Sequence, residues 1–300
     1  MSIVVVGTVA FDTVETPWGR VEKILGGSAN YFSMAAQFFC PVKMVGVIGE
    51  DFPESHLEYL NSKNICTDGI VRLDGKTFHW KGEYKRDLNE AITLNTHLNV
   101  LEQFDPQLPE HYRETQFVFL ANFDPRLQKQ VLGQVKKTKV VACDTMNFWI
   151  EGKPEALRET LKDVDILLLN EGEARLLSGK ASLLRAAKEI SDMGPHKIVI
   201  KRGEHGAMLY NEGNIFVVPA YPLETIHDPT GAGDTFAGGF MGYLAKSLDP
   251  LNDTTLRKAM VYGTVMASFT VEDFSFNRLK EIDWAHIEGR YTDLLKVIHF

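Results

Sequence analysis

The sequence predicts an α/β fold in which a mostly parallel central sheet is covered by helices on both faces, giving three α/β/α layers. Short apolar runs without polar alternation recur along the chain, and amphipathic stretches separate them, with Leu184, Ala187 and Ile190 marking the clearest helix, at 181–193. Strands of this kind are typical of a parallel sheet buried on both faces. The runs that predict strands are Ile3–Val6, Lys43–Ile48, Phe117–Ala121, Val140–Ala142, Ile166–Leu169 and Ile198–Ile200.

Two segments, at about 13–25 and 76–101, break this pattern. The first contains Pro17-Trp18-Gly19, a turn signal between two β-like arms, and the second alternates apolar and polar residues through Phe78 and Trp80. Both predict antiparallel strands outside the central sheet, although they could also be surface hairpins without a role. Since there is no internal repeat or low-complexity linker, we expect residues 1–300 to form a single domain.

Composition excludes several classes of function. A hydrophobic content of 44% suffices for a globular core, and a net charge of −8 argues against nucleic acid or an anionic membrane as a partner. No apolar run approaches the roughly 18 residues that span a bilayer. The apolar start, Ile3–Val6, has no basic segment before it and predicts a buried strand. Cys40, Cys66 and Cys143 are scattered without metal-ligand spacing, so we expect reduced thiols and a cytoplasmic protein.

The segment 228–240 carries the strongest functional signal. Gly231, Ala232 and Gly233 predict a sharp turn with exposed N–H groups, and the apolar spacing after Asp234 predicts that a helix begins there. A helix N-terminus of this kind binds phosphate, and a carboxylate beside it can accept the proton of an attacking hydroxyl. The alternative is an acidic first turn that only stabilises the helix. Glycines at 238, 239 and 242 favour the phosphate site, because close backbone approach would justify their cost.

This segment resembles the signature of the ribokinase-like (PfkB-type) carbohydrate kinases. Residues 231–234 match the GAGD element, Gly26 and Gly27 followed by Asn30 match an earlier element, and 170–173 match an N-x-x-E pattern. The resemblance covers about residues 3–275. It implies a ribokinase-like domain with segments 13–25 and 76–101 as a small β lid, and transfer of the γ-phosphoryl group of ATP to a hydroxyl of a sugar or cyclitol.

Two other functions stay open at this point. One is a nucleoside kinase on the same scaffold, in which aromatic side chains would sandwich a base; the candidates are Tyr31, Phe32, Phe78, Trp80 and Phe148. The other is a ligand-sensing relative without catalysis, against which the intact Asp234 speaks. The sequence lacks G-x-x-x-x-G-K-[ST], so a P-loop kinase is excluded.

For the acceptor, the resemblance implies binding by Asp12, Gly26, Gly27 and Asn30. Asp12 follows the first predicted strand, where ligands bind in open α/β sheets, although it could instead be a turn residue. Asn30 stands one residue closer to the glycine pair than is usual in the family, and Tyr31 occupies the usual position. We also expect Asp144 and Asn147, after the fourth strand, to face the acceptor, with the aromatics at 148 and 149 packed in the core.

For the cofactors, the resemblance implies that Asn170 and Glu173 position Mg²⁺, with Glu173 acting mainly through water, and that Asp228 belongs to a monovalent cation site for K⁺. From the residues alone, the segment 170–173 is an ordinary acidic helix N-terminus. The family forms a nucleotide turn at Gly203 and Gly206, and an adenine pocket at Ala267 and Ser268. Lys201 and Arg202 could contact phosphates or be solvated loop charges. An exposed lid edge would permit a homodimer.

Overall fold

The structure is a computed structural model that describes residues 1–85, 88–89 and 91–298. The strands, in chain order, are β1 (Ile3–Val6), β2 (Ala10–Thr16), β3 (Gly19–Gly26), β4 (Val42–Ile48), β5 (Ile65–Arg72), β6 (Phe78–Glu83), β7 (Ile92–His97), β8 (Phe117–Leu120), β9 (Val140–Asp144), β10 (Ile166–Asn170), β11 (Lys197–Lys201), β12 (Ala207–Asn211) and β13 (Asn214–Val218). The α-helices are α1 (Ser28–Ala36), α2 (Glu54–Asn61), α3 (Pro125–Leu132), α4 (Asn147–Gly152), α5 (Pro154–Leu161), α6 (Glu171–Ser178), α7 (Leu183–Ser191), α8 (Ala232–Lys246), α9 (Asp253–Thr270), α10 (Asn277–Glu281) and α11 (Trp284–Ile298).

A nine-stranded sheet forms the middle layer, in the order β13-β12-β11-β10-β9-β8-β1-β4-β5. From β11 to β5 every neighbouring pair is parallel, whereas β12 and β13 pair antiparallel at one edge. All six predicted strands lie in this sheet, which confirms the predicted fold class. The sequence did not reveal β5, β12 or β13, where apolar and polar residues mix. Strands β5 and β13 are the two edges of the sheet, and β12 lies next to β13.

Both faces of the sheet are buried, and β1 shows why its sequence is uniformly apolar. Ile3 and Val5 belong to the core under α1, α8 and α9, whereas Val4 and Val6 belong to the core under α3, α5 and α7. Successive side chains of a strand point to opposite faces, so a strand covered on both sides needs no polar alternation. The helix predicted at 181–193 is α7, although Leu184 proves to be 46% exposed rather than part of the buried stripe.

The two segments outside the central sheet form a four-stranded lid sheet in the order β3-β2-β6-β7. The pairs β2–β3 and β6–β7 are antiparallel as predicted, but β2 and β6 run parallel. The chain returns to the central sheet between β2 and β6, and such a crossover permits parallel pairing. The edge strand β7 is exposed along its length, and dimerisation through it stays a prediction. Residues 86, 87 and 90 of the lid segment, and 299–300 of the domain, lie outside the described residues.

Two further findings concern membranes and cysteines. Within the described ranges, no helix combines the length and apolar character that crossing a bilayer requires. All three cysteines are free, and Cys66 lies with Asp68 and His111 so that their potential ligand atoms are within 4.8 Å of one another. The sequence predicted no such group, because His111 reaches it from a segment far along the chain.

Candidate active site

Three polar residues end adjacent parallel strands on one edge of the central sheet. Asp144 ends β9, Asn170 ends β10 and Lys201 ends β11. The carboxyl ends of parallel strands are where α/β sheets bind ligands. The N-terminus of α8 meets the same edge, since Gly233 in its first turn lies against Lys201.

The predicted turn at the start of α8 is present and requires glycine. Gly231 caps the helix in the left-handed region, with φ of 75°, and a Cβ there would collide with the ring of Tyr31. The amide of Ala232 donates to the carbonyl of Pro229 at 3.1 Å, whereas the amides of Gly231 and Gly233 have no acceptor within the described part of the chain. The predicted anion site therefore has two free amides rather than the three expected, because the turn itself uses the N–H of Ala232.

Asp234 lies in the first turn of α8, beside these amides. Burial raises the pKa of its carboxyl to about 7, the negative charge of Asp144 adds to this effect, and the Lys201 ammonium opposes it. A carboxylate with a pKa near neutral pH is suited to accept a proton from a hydroxyl.

The glycines inside α8 allow neighbouring helices to pack closely, whereas the sequence was interpreted as favouring a phosphate site. A Cβ at Gly238 would strike the backbone of Phe32 in α1, and one at Gly242 would lie 2.9 Å from the ring of Phe39, just beyond α1. At Gly239 it would lie 2.7 Å from Met266 in α9. Close backbone approach is confirmed, but it serves helix packing and is no evidence for a phosphate.

Lys201 was predicted either to contact phosphates or to be a solvated charge in a loop, and the structure excludes the second. Its ammonium donates to Oδ2 of Asp144 at 2.7 Å, with side-chain exposures of 17% and 6%. A Cβ built on Gly233 would lie 3.0 Å from Nζ of Lys201. The cation thus stands inside the anion site, and Asp144 holds it there instead of being free to bind an acceptor.

Asn170 and Glu173 form a capping box at the start of α6. The Asn170 side chain accepts from the amide of Glu173 at 2.8 Å, and the Glu173 carboxylate accepts from the amide of Asn170 at 2.7 Å. Burial, and then Asp144, raise the pKa of Glu173 to about 7. Residues 170–173 are therefore an acidic helix N-terminus, as the residues alone predicted. That role does not explain why the Glu173 carboxyl group lies so close to the negative charge of Asp144.

That environment fits a divalent cation. Asp144, Glu173 and Asp234 interact electrostatically around a single ammonium, that of Lys201. Three carboxylates and one lysine leave an excess of negative charge in a partly buried cluster, and oxygen ligands of this kind are those that Mg²⁺ prefers. The residues present thus fit a magnesium ion bound with phosphates.

A cleft of about 800 Å³ adjoins this edge. Predicted nucleotide residues line it, namely Asn170, Gly203, Gly206, Ala267 and Ser268, together with Lys201, Ala232 and Gly233. Its further lining includes Tyr221, Leu223, Ile226, Thr264 and Val271, which sequence reasoning missed. Thr264 and Val271 could have been predicted from the sequence, because positions 264, 267 and 271 have the spacing of one helix face. The other three lie in the loop before α8, where no sequence pattern predicts a cleft.

The wall of this cleft near Ser268 is held by Arg290. The guanidinium donates to Oγ of Ser268 at 3.0 Å and lies over the rings of Tyr221 and Phe269. The Ser268 hydroxyl in turn donates to the carbonyl of Val265 at 2.6 Å. Ser268 therefore shapes the cleft, and its hydroxyl is already engaged within the protein.

Asp12 lies on β2, at the base of the lid sheet, and is 4% exposed. Its carboxylate occupies the space that a Cβ on Gly26 would need, which explains the glycine. Burial raises the pKa of Asp12 to about 8, and Asp228 and Asp234 contribute. Trp80 is directly opposite Asp12 on the parallel strand β6, so the two side chains share one face of the lid sheet.

Asn30 has a supporting position in this structure rather than the substrate contact expected. It is fully buried, its Nδ2 donates to the carbonyl of Gly26 at 2.7 Å, and its Oδ1 lies 3.3 Å from Nε2 of His56. Both polar atoms of the Asn30 amide are therefore engaged within the protein. Gly27 begins the next turn with φ of 94°.

The aromatic candidates for binding a base are unequal. Phe32 is fully buried and stacks on Phe119 with ring centroids 4.3 Å apart, and Tyr31 is buried against Gly231. Neither offers a free ring face. Phe148 is 62% exposed, so its expected core packing is wrong, because α4 presents it outward while Trp149 donates to Asn122 at 2.9 Å.

Asp228 precedes the glycine turn and is fully buried. Its Oδ1 accepts from the amide of Thr230 at 2.9 Å, whereas Oδ2 has no hydrogen-bond partner among residues 1–85, 88–89 and 91–298. A buried carboxylate oxygen without a donor is costly unless a cation balances it. This geometry fits the monovalent cation expected from the sequence.

Comparisons with known proteins find similar sequences and similar folds over most of the chain. The model of the pfkB family carbohydrate kinases matches residues 2–281. The chain is 32% identical to a cytidine kinase of Thermococcus kodakarensis over 250 residues (81% of this chain, 88% of the relative), and 26% identical to a ribokinase of Bacillus subtilis over 300 residues (91% and 94%). The structure of a Vibrio cholerae fructokinase double mutant, bound to fructose, ADP and potassium, superposes with a TM-score of 0.79 at 18% identity, covering 97% of this chain and 98% of that one.

Proposed function

The chain belongs to the pfkB family of carbohydrate kinases, a family of phosphotransferases that act on hydroxyl groups, and we propose that it transfers the γ-phosphoryl group of ATP to a hydroxyl of a small sugar or cyclitol. The observation that carries this proposal is the placement of Asp234. Its carboxyl group, with a pKa of about 7, lies in the first turn of α8 beside the free amides of the turn. Its neighbour Gly233 lines the cleft, and its charge helps to raise the pKa of Asp12 on the lid sheet.

In this mechanism the nucleotide occupies the cleft, with adenine against Ala267 and its phosphates directed to the turn at 231–233. The amides of Gly231 and Gly233 stabilise charge that develops on the transferred phosphoryl group. Asp234 accepts the proton of the acceptor hydroxyl as that oxygen bonds to phosphorus and the bond to the leaving ADP breaks.

The metal sites follow from the donor atoms. Glu173 and Asn170 would hold Mg²⁺, mainly through water, and Asp228 would hold K⁺ behind the turn. Bound Mg²⁺ would neutralise phosphate charge and keep the γ-phosphoryl group aligned. The protein's own contribution is to hold the turn rigid, because Asp228 also binds the amide of Thr230 directly before it.

Asp12 supports a polyol acceptor. A buried carboxyl group on the lid, whose pKa the charge of Asp234 helps to raise, can exchange hydrogen bonds with neighbouring hydroxyls of one substrate. Its loss would leave those hydroxyls unpaired in a dry site, at about 1–3 kcal/mol each. Because Tyr31 and Phe32 have no free ring face, neither can stack on a base. Hydrogen bonding by Asp12 is therefore the better supported way to recognise the acceptor.

A nucleoside is the second candidate, and two observations favour it. Trp80 shares the lid face of Asp12, so a ribose could bind the carboxylate while the indole contacts a base. The 32% identity to a cytidine kinase points to the same class. Both candidates place a polyhydroxylated ring at Asp12.

A coupled assay of ADP release, run over sugars, cyclitols and nucleosides including cytidine and inosine, tests the proposal. We expect turnover on a sugar or cyclitol, near-complete loss in Asp12→Ala, and little change in the exposed-surface control Phe148→Leu. If only nucleosides are phosphorylated, the acceptor is a nucleoside, and we then expect Trp80→Leu to lose most of its activity. No turnover with any acceptor, despite ATP binding, would contradict the kinase mechanism.

A further inference from the structure

We infer that Lys201 is a catalytic residue that binds the γ-phosphoryl group of the nucleotide, and that Asp144 is the residue that positions it. This inference rests on the proposed function, since it concerns the same anion site. It adds a fixed side-chain cation to the two backbone amides at 231 and 233.

The position of the ammonium is the first argument. Nζ of Lys201 would lie 3.0 Å from a Cβ on Gly233, while Cδ and Cε would lie 3.7 Å from it. The end of the side chain therefore packs on the residue whose free amide forms the anion site. Lys201 and Gly233 also line the same cleft. A phosphoryl group bound by that amide would lie within reach of the ammonium.

The second argument is the way in which the lysine is held. Asp144 and Lys201 end strands β9 and β11, with β10 between them, so their 2.7 Å bond crosses the end of the intervening strand. The second oxygen of Asp144 accepts from the amide of Thr145 at 2.8 Å, and its carbonyl accepts from Gln128 at 3.2 Å. Asp144 is thus fixed on several sides, which limits the conformations open to the lysine.

A purely structural ion pair is the competing explanation. Burying two charges costs free energy that their attraction often fails to recover, so a buried pair is weak evidence of a stabilising role. Asp144 satisfies one of the three ammonium donors, which leaves donors available for phosphate oxygens. Strand β11 also provides a comparison, since Lys197 at its other end pairs with Glu212 at 3.7 Å, far from the anion site.

Nucleotide binding separates the two explanations without any acceptor. We would titrate wild-type protein, Lys201→Met and the matched control Lys197→Met with Mg·AMP-PNP, which has a γ-phosphoryl analogue, and with Mg·ADP, which lacks it. For Lys201→Met we expect about 10- to 100-fold weaker binding of AMP-PNP, equivalent to about 1.4 to 2.8 kcal/mol, and almost unchanged binding of ADP. Lys197→Met should bind both as the wild type does.

Asp144→Asn tests the positioning role. It should weaken AMP-PNP binding selectively, and should have no further effect in the Lys201→Met background, because both changes remove one interaction. Where an acceptor is known, turnover of Lys201→Ala should be partly restored by ethylamine, which no structural role predicts. Thermal unfolding of each variant would show whether it is folded.

The outcomes distinguish this inference from the proposed function. Equal losses of AMP-PNP and ADP in folded Lys201→Met, or no loss of either, would overturn the assignment to the γ-phosphoryl group. Additive effects of Asp144→Asn and Lys201→Met would overturn the positioning role. If wild-type protein binds neither nucleotide, the proposed kinase function itself fails.

Discussion

Replacing Asp234 with Asn tests the assignment of the base most directly. The amide has nearly the same shape but cannot accept the proton of the acceptor hydroxyl. Removing a general base lowers turnover by about 10²- to 10⁴-fold, so we expect kcat of Asp234→Asn to fall in that range while ATP affinity changes little. The matched control is Asp253→Asn, since Asp253 is the acidic residue in the first turn of α9 and accepts hydrogen bonds from Arg257 and Asn211.

The pH profile provides a second measure of the same group. Because the pKa of Asp234 is raised to about 7, its active, ionised fraction falls tenfold per pH unit below that value. Wild-type kcat/KM should therefore decline with a slope of one on the acid side, with a midpoint near pH 7. Burial is the main cause of this raised pKa, the charge of Asp144 raises it further and the charge of Lys201 lowers it. Asp12 and Glu173 are the other titrating neighbours.

The same shift has a consequence for stability. The folded-state pKa of about 7 exceeds the ordinary aspartate pKa of 3.8, so the stabilising contribution is complete below pH 3.8 and is lost as the pH rises through 7. Keeping the ionised carboxylate folded at pH 8 therefore costs up to about 4 kcal/mol, at 1.36 kcal/mol per pKa unit. Asp234→Asn removes this cost and should raise Tm at pH 8 while nearly abolishing turnover. Near-normal kcat, or loss of activity that parallels a lower Tm, would refute the reasoning.

Two further predictions concern the metal sites. Glu173→Gln should raise the Mg²⁺ concentration needed for half-maximal activity, measured by titration at saturating ATP, because one negative charge leaves the cluster; an unchanged titration would reduce Glu173 to its capping role. Asp228→Asn should lower activation by K⁺, assayed against a sodium series, because the buried Oδ2 that has no donor becomes a neutral amide group; equal activation in both proteins would remove Asp228 from the cation site.

Much of this fold could be predicted because its signals are local. Uninterrupted apolar runs such as Ile3–Val6 indicate strands buried on both faces, and a parallel sheet covered by helices supplies that burial. The turn at Gly231 could be predicted for a similar reason, since a sharp turn before a helix demands glycine and exposes amides. The edge strands β5 and β13 could not be predicted in this way, because their exposed residues weaken the apolar pattern.

Residues whose role depends on distant partners could not be assigned from the sequence. Lys201 and Asp144 are 57 positions apart, and only the pairing of β9, β10 and β11 brings their charges together. Asn30 matched a motif, yet the path of α1 turns its amide toward His56. Phe148 and Phe32 are both apolar, but one is exposed and the other stacked in the core.

By itself, then, the sequence determined the parallel α/β architecture and the glycine turn with the carboxyl group that follows it, because hydrophobic periodicity and glycine geometry act over a few residues. Tertiary structure decided which charges share the anion site, which amides stay free, and which aromatics keep an open face. These properties depend on the distances between side chains from separate strands and helices, and only the packed chain sets those distances.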